Sequence, residues 1–432
     1  MVDKPNRRTL GDYFTLQRGT TYKSRLLGQP GPALLGLATI QRNGGFRRDS
    51  LQTYGGESPE KLLVRPGEIY VSLKDVTQAA DLLGAVARLP TDSRTGRLTQ
   101  DTVKLEPKRD DVPVDYLYWL MRTPQYRNYC RAHATGTTNL GLAREDFLAF
   151  PAPEPTSAQR MIVGTLEMLD DKIELNRRLN ETLEVTIRTL FRSWFVDFDP
   201  IHAKAEDRDT GLPKPLPELF PDSFEDSESG KIPKGWKIGA LGNVSVNQRR
   251  NTRPEDIGPS TPHIALEHMP RRSIALTDWG TANGLESNKF EFKKGEILFG
   301  KLRPYFYKVG VAPLDGVCST DIVVVAPLSE KWFGFVLGHI SSAAFVDYTN
   351  AGSTGTKMPR TSWDEMARYS VVLPSEKIAD AFSGYIRPAV DRIIASIHER
   401  HTLVALRDTL LPKLISGGLR IKDAKKFFNE KI

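Results

Sequence analysis

From Ser157 to Phe195, one set of positions recurs at steps of four and three without a break: Ile162, Leu166, Leu169, Ile173, Asn176, Asn180, Leu183, Ile187, Leu190 and Trp194. A mean step of 3.5 residues is the seam of a coiled coil. Thirty-nine residues at about 1.5 Å each give a rod of about 58 Å, longer than a small globular core can cover. A second, less apolar seam follows 220 residues later at Phe382, Ile386, Ala389, Ile393, Ser396, Arg400, Leu403, Arg407, Leu410 and Leu414, with Ile393, Leu403 and Leu410 expected to pair with the first helix. Both seams turn polar in the middle. Asn176, Asn180, Ser396 and Arg400 either form a buried polar layer that selects register or are solvated where the helices splay.

The seam is one part of a larger duplication. LGDYFTLQRG at Leu10 is echoed by LGNVSVNQRR at Leu241, and RPGEIYVSLKD at Arg65 by KKGEILFGKLRP at Lys293. An aromatic segment, YLYWLMRTPQYRNYC, precedes ATGTT at Ala134 to Thr138; WFGFVLGHISSAAFVDY precedes NAGST at Asn350 to Thr354. FPAPEP and VVLPSEK then lead into the two seams. Strand candidates in both halves (ALLGLATI, GEIYVSL and AVARL; PHIALEHM, GEILFG and TDIVVVAP) are bounded by Gly, Pro, Asn or Asp. The expected class is α/β, of the α+β kind. The expected segments are a globular domain at 1–152, a long helix at 153–196, a connector at 197–235, a second domain at 236–374, and a second long helix with a tail at 375–432. The stretch 196–235 has six prolines and ten acidic against five basic residues. It is expected to be an extended connector that packs no core.

The net charge is +7, and basic residues outnumber acidic ones on both sides of that acidic stretch, in residues 1–150 and again in residues 236–432. Such a distribution suits a polyanion touched in two places, although mildly basic proteins are common. Cys130 and Cys318 have no spacing suited to a disulfide framework or a zinc site, which fits a reducing, cytoplasmic compartment. With no run of 18 apolar residues, no membrane span is expected.

GEILFGKL at Gly295 comes close to a nucleotide phosphate loop, but Leu302 stands where a Ser or Thr must hold magnesium, and Glu296 to Phe299 favour a buried strand. The internal copy, GEIYVSLKD, has Ser72 in place of the second glycine. Asp278 with Glu291 and Lys293 could be read as a metal-dependent nuclease triad, yet the first half offers no equivalent. His398 and His401 lack a completing ligand set and are expected on the surface. LFGKLRPYFYKVG sets Lys301, Arg303 and Lys308 among Tyr305, Phe306 and Tyr307, placing phosphate-binding cations beside rings that can pack on sugars or bases. ATGTTN and NAGSTGTK offer small hydroxyl and amide groups for a groove, or are simple turns and caps.

LFRSWFVDFDP at Leu190, continuing through GLPKPLPELFPDSFEDSESGKIPKGW, resembles the central region of the specificity subunits of Type I DNA restriction-modification enzymes. AQRMIVGTLEMLDDKIELNRRLN resembles that family's first long helix, and LLPKLISGGLRI its C-terminal one; the second helix departs by opening with SEKIADAF. The resemblance spans nearly the whole chain. It implies two target-recognition domains held apart by two antiparallel helices, with a pseudo-two-fold repeat. Each domain would read one half of an interrupted site in double-stranded DNA. Two methyltransferase subunits would dock around the helices, and two motor-nuclease subunits would join for restriction. The chain itself would be non-catalytic and bind no cofactor; S-adenosylmethionine, ATP and Mg2+ would belong to the partners. Phosphate contacts are then expected from Arg18, Lys74, Arg249, Lys301 and Arg303. Base-proximal roles are expected for Thr137, Thr138, Asn139, Thr354, Thr356 and Lys357, with Tyr305 beside them. A single-chain nuclease using Glu291 and Lys293, or a duplicated scaffold for a partner other than DNA, would read the same residues differently.

Overall fold

The computed structural model describes residues 8–48, 51–137, 139–228, 230–355 and 358–415, with side chains as far as Pro412. The end of the LLPKLISGGLRI run, Thr138, Thr356 and Lys357 lie outside the described residues. The chain divides into two compact units, Met1–Asp170 with Val404–Ile432, and Asp171–Leu403, so that both long helices contribute to both units.

In the first unit, four antiparallel strands lie in the order Phe14–Arg18, Thr102–Pro107, Ile69–Ser72 and Val86–Arg88. The β-branched and aromatic strand Ile69–Ser72 is buried along its whole length. Beside it, Ala33–Leu35 runs parallel to Gly96–Leu98, which pairs antiparallel with Leu63–Val64. The second unit repeats this plan. Ser245–Asn247, Ile322–Pro327, Ile297–Gly300 and Val309–Val311 form the four-stranded sheet. Pro262–Ile264 runs parallel to Gly316–Cys318, which is antiparallel to Lys289–Phe292. Two helices follow each sheet, Val114–Leu120 and Pro124–Ala132 in one unit, Phe333–Ile340 and Ala343–Ala351 in the other. The second helix of each pair is capped alike: the hydroxyls of Thr123 and Ser342 accept the N–H three residues on, at 3.3 and 3.2 Å. The duplication read from sequence is therefore a duplication of topology. Ile297–Gly300, inside the phosphate-loop look-alike, is a buried sheet strand.

Both cysteines are sealed in. Cys130 lies so close under Gly84, whose φ is +70°, that an added Cβ there would sit 2.4 Å from its sulfur. Burial raises the Cys130 thiol and pushes that of Cys318 up to about 12.

The first long helix is Ser157–Phe195 and the second Glu376–Ile415. Ile162, Leu166, Leu169 and Ile187 are buried, and Ile173, Leu183 and Leu190 half-buried; on the second helix Ile393 and Leu410 are buried and Leu403 half-buried. Within the second unit the helices run antiparallel: Asn176 faces Glu399, while Trp194 and Phe195 meet Phe382 with ring centroids 5.2 and 4.8 Å apart. Gly338 lets Phe191 press against the backbone of its helix, for a Cβ there would lie 2.0 Å from the ring. Of the two expectations for the polar mid-seam, the buried layer forms. Asn176, Asn180 and Ser396 are 1%, 7% and 0% exposed. Asn176 Nδ2 donates to Glu399 at 2.8 Å, whereas the side-chain oxygens of all three residues have no partner in the protein.

The stretch 196–235 departs from expectation. It folds into a helix, Asp199–Ala205, and a hairpin, Phe224–Ser227 with Gly230–Pro233. Ile201, Leu216 and Phe220 are buried in the core of the second unit, beside Trp236 just beyond the stretch, and Ile232 is buried as well. Trp194 stands edge-on to Phe220 at 5.0 Å, and Trp236 packs on Phe195 and Phe198. These apolar residues are too few to form a core alone, but they cover the aromatic end of the first long helix. His398 is exposed, as expected, and His401 half-buried; each ring Nε2 meets a backbone carbonyl, of Pro313 at 2.8 Å and Thr277 at 2.7 Å, and so fastens the helix to the sheet side of the unit.

Within the first unit Asp170 sits between Arg122 at 2.8 Å and Arg407 at 2.6 Å. Burial alone would raise this carboxyl, but the two guanidiniums outweigh burial and hold it below its ordinary value. A depressed folded pKa stabilises the fold fully above the unfolded value of about 3.9 and ceases to do so as pH falls through the folded value. Asp170→Asn is expected to cost about 3 kcal/mol in urea unfolding, because it leaves the enclosed Arg122 guanidinium without its counter-charge, while Arg407 keeps Asp408 at 2.8 Å. The variant should also lose the part of the wild-type acid transition that belongs to this carboxyl, and equal stability of both proteins at neutral pH would refute the assignment.

Candidate nucleic-acid interface

In the first unit, the segment leaving the central strand lies against a hairpin that follows the two helices. Leu142 N–H donates to the carbonyl of Leu73 at 2.9 Å, and Lys74–Asp75 pairs with Leu140–Gly141. The hairpin is closed by two backbone hydrogen bonds between Thr135 and Gly141, 2.9 and 2.8 Å long. Gly136, at φ +94°, permits the turn, since a Cβ would meet the carbonyl of Asn139 at 2.4 Å. Thr137 and Asn139 are exposed at its tip. Arg18, at the end of the edge strand, lines one cleft with Lys74, Asp101 and Arg144. Lys74 pairs with Asp101 at 3.2 Å, Arg144 donates to the carbonyl of Leu16 at 3.0 Å, and Arg18 reaches the carbonyl of Gln100 at 3.5 Å. Three cations thus gather about one carboxylate.

The second unit builds the same frame from different side chains. Thr361 N–H donates to the carbonyl of Lys301 at 3.0 Å, and Thr354 and Arg360 close the hairpin at 3.1 and 3.0 Å. Thr354 is exposed, and Gly355 at φ +97° makes the turn. Asp321 heads strand Ile322–Pro327 as Asp101 heads Thr102–Pro107; Arg360 pairs with it at 2.9 Å, and its carbonyl accepts Lys301 N–H at 2.9 Å. Burial lowers the Lys301 ammonium below its ordinary value; Asp321 opposes the shift, and Arg360 and Arg249 add to it. Here too one carboxylate is outnumbered by three cations.

The paired motifs do not superpose cation on cation. Lys74 stands opposite Gly141, whereas Leu302 stands opposite Arg360, so Lys301 lies one position earlier in the frame than Lys74. Arg303 takes a left-handed backbone at φ 52°, held by its N–H to the carbonyl of Pro359 at 2.7 Å, and its buried Nε has no partner in the protein. Tyr305 is 44% exposed. The rest of the aromatic run is occupied: Arg271 lies over Phe306 and Arg272 over Tyr307, whose hydroxyl donates to Asp347 at 2.6 Å. Lys308 is also engaged, donating to the carbonyl of Leu266, and so differs from the open phosphate-binding cation expected.

Sequence reasoning missed Asp101, Asp321, Arg144 and Arg360. The first two recur 220 residues apart, each directly before a strand, which was a usable signal. Arg144 and Arg360 have no matching partner in the other copy and emerge only from the fold. Of the residues in the nuclease reading, Lys293 pairs with Asp315 at 3.2 Å, and Asp278 accepts the hydroxyl of Thr277 at 2.9 Å. Among the described residues no group of three or more His, Cys, Asp or Glu side chains is placed to share a metal ion. Nor is any described helix long and apolar enough to cross a membrane.

No family model matches the sequence. Curated relatives do. The chain is 26% identical over 330 residues to the Type I restriction enzyme MjaIX specificity subunit of Methanocaldococcus jannaschii, covering 73% of this chain and 71% of that protein. It is 23% identical over 366 residues to the HindI specificity subunit of Haemophilus influenzae, covering 73% and 79%. The EcoDI specificity subunit of Escherichia coli is 25% identical over 312 residues, covering 68% and 67%. The fold is shared with the crystal structure of the S subunit of a Type I restriction-modification system from M. genitalium, at a TM-score of 0.55 and 15% identity over 96% of this chain and 98% of that one. Relatives that align over about 70% of the chain are all specificity subunits of Type I restriction enzymes, and the fold is shared with one such subunit along nearly the whole length: it is this family that the chain resembles.

Proposed function

We propose that this chain is the DNA-recognition subunit of a Type I restriction-modification complex, and that each unit reads one half of an interrupted site in double-stranded DNA. The observation that carries this reading is the twice-built cluster: Arg18, Lys74 and Arg144 around Asp101, then Arg249, Lys301 and Arg360 around Asp321, each beside an exposed hairpin tip. The surplus positive charge suits phosphates, which fix the register of a protein on the duplex, while short hydroxyl and amide groups can reach base edges. Arg303, with a buried donor left over, and Tyr305 stand beside the second cluster; Thr138, Thr356 and Lys357 belong to the same two tips in sequence. Methyl transfer and cleavage fall to partner subunits, two methyltransferases and two motor-nucleases, which would bring S-adenosylmethionine, ATP and Mg2+. The long helices act as the spacer that sets the unspecified gap, and their outer faces are where the methyltransferases dock.

Arg249→Ala combined with Lys301→Ala is expected to weaken binding to every duplex alike and to flatten the slope of log K against log salt by about 1 to 2. Titration of the assembled complex at several salt concentrations measures this, and an unchanged slope removes these residues from the phosphate contact. Inserting one helical turn of about 5.4 Å at matching points of both long helices should lengthen the gap by about one to two base pairs, given roughly 3.4 Å per base step. Sequencing of methylated sites reads the gap directly; an unaltered gap rules out the spacer role.

A further inference from the structure

Four consecutive residues of the first unit, Val76, Thr77, Gln78 and Ala79, are exposed, although the residues on either side, Asp75 and Ala80, are 0% and 5% exposed. The loop is braced at both ends by buried charge. The Asp75 carboxylate accepts the N–H of Thr77 at 2.8 Å, its hydroxyl at 2.9 Å, and the N–H of Leu82 from the far side of the loop at 2.7 Å. The Arg127 guanidinium, 2% exposed, donates to the carbonyls of Ala80, Asp81 and Leu83 at 3.0, 2.8 and 2.6 Å. Ala80 is held in a left-handed conformation at φ 52°, which side chains with a Cβ rarely adopt. Two buried charges and a strained residue therefore hold in place a tip that fills no core.

What the tip presents is chemically narrow. The Thr77 hydroxyl is already engaged by Asp75. Val76 is 63% exposed, and the Gln78 amide makes no hydrogen bond among the described residues. The tip starts two residues after Lys74, and Asp75 itself pairs with Leu140 next to the hairpin that carries Thr137 and Asn139. It thus flanks the first cation cluster.

We propose that Val76 and Gln78 read an A·T pair in the major groove of the half-site bound by the first unit, Gln78 pairing with the adenine edge and Val76 packing on the thymine methyl. This rests on the DNA-recognition reading above. A glutamine amide matches the N6 donor and N7 acceptor of adenine, and an exposed branched alkyl group matches the 5-methyl of thymine; no other base offers that pair side by side. A rigid tip suits the task, because a preformed reader need not be ordered on binding.

The test uses the full chain assembled with its methyltransferase partners and a library of duplexes. Gln78→Ala is expected to relax one position of one half-site, with roughly ten- to hundred-fold loss of discrimination for A·T there, and to leave the other half-site as it was. For wild type, replacing thymine by deoxyuridine at that position should weaken binding several-fold; Val76→Ala should abolish the difference. Both side chains are exposed, so thermal unfolding should be unchanged. If both variants keep the wild-type preference at every position, or lose affinity equally for all sequences, this inference is wrong while the recognition reading stands. If wild type shows no preferred site at all, the recognition reading fails and takes this inference with it.

Discussion

Two peptide hydrogen bonds, Leu142 to Leu73 in one unit and Thr361 to Lys301 in the other, hold together segments nearly seventy and sixty residues apart and thereby create the site. The strand exit with its lysine, the hairpin tip and the aspartate at the head of the neighbouring strand are all registered by that contact in each unit. It is made by backbone, so it places no demand on side-chain identity. This lets one geometry be kept while Ser72 is replaced by Gly300, Gly141 by Arg360 and Arg144 by Trp363 in the second copy. A recognition frame of this kind can carry different readers without being rebuilt.

The long helices show how a seam can specify as well as stabilise. Aromatic packing of Phe191, Trp194 and Phe195 about Phe382 supplies apolar burial in the second unit, and Asp170 between two arginines fixes the pairing in the first. The polar layer of Asn176, Asn180 and Ser396 adds little to stability, since none of its three side-chain oxygens has a partner in the protein. Its bearing on register is local: sliding either helix by a turn would break the Asn176–Glu399 hydrogen bond and leave the amide donor buried without a partner.

Much of this was legible in the sequence. The seam, the duplication and the strand that excludes a phosphate loop all rest on periodicity or repetition, which local chemistry imposes directly. The clusters were half legible. Arg18, Lys74, Arg249 and Lys301 followed from repeated motifs, but Arg144 and Arg360 reach the clusters through the hairpin, and no linear pattern announces that. The acidic stretch misled because composition does not reveal that Ile201, Leu216 and Phe220 find a ready-made aromatic surface to cover. Lys308 and His401 are less open than expected for a related reason: each spends a polar atom on a backbone carbonyl, a partner invisible in sequence.

The sealed sulfurs have a practical corollary. With Cys130 closed off beneath Gly84 and the Cys318 thiol pushed far above neutral pH, neither presents a thiolate to solvent in the folded protein. The native chain therefore offers a quiet background for attaching dyes or spin labels: a single cysteine introduced at a hairpin tip would react alone, and distances between labelled tips could be followed without first stripping the natural cysteines out.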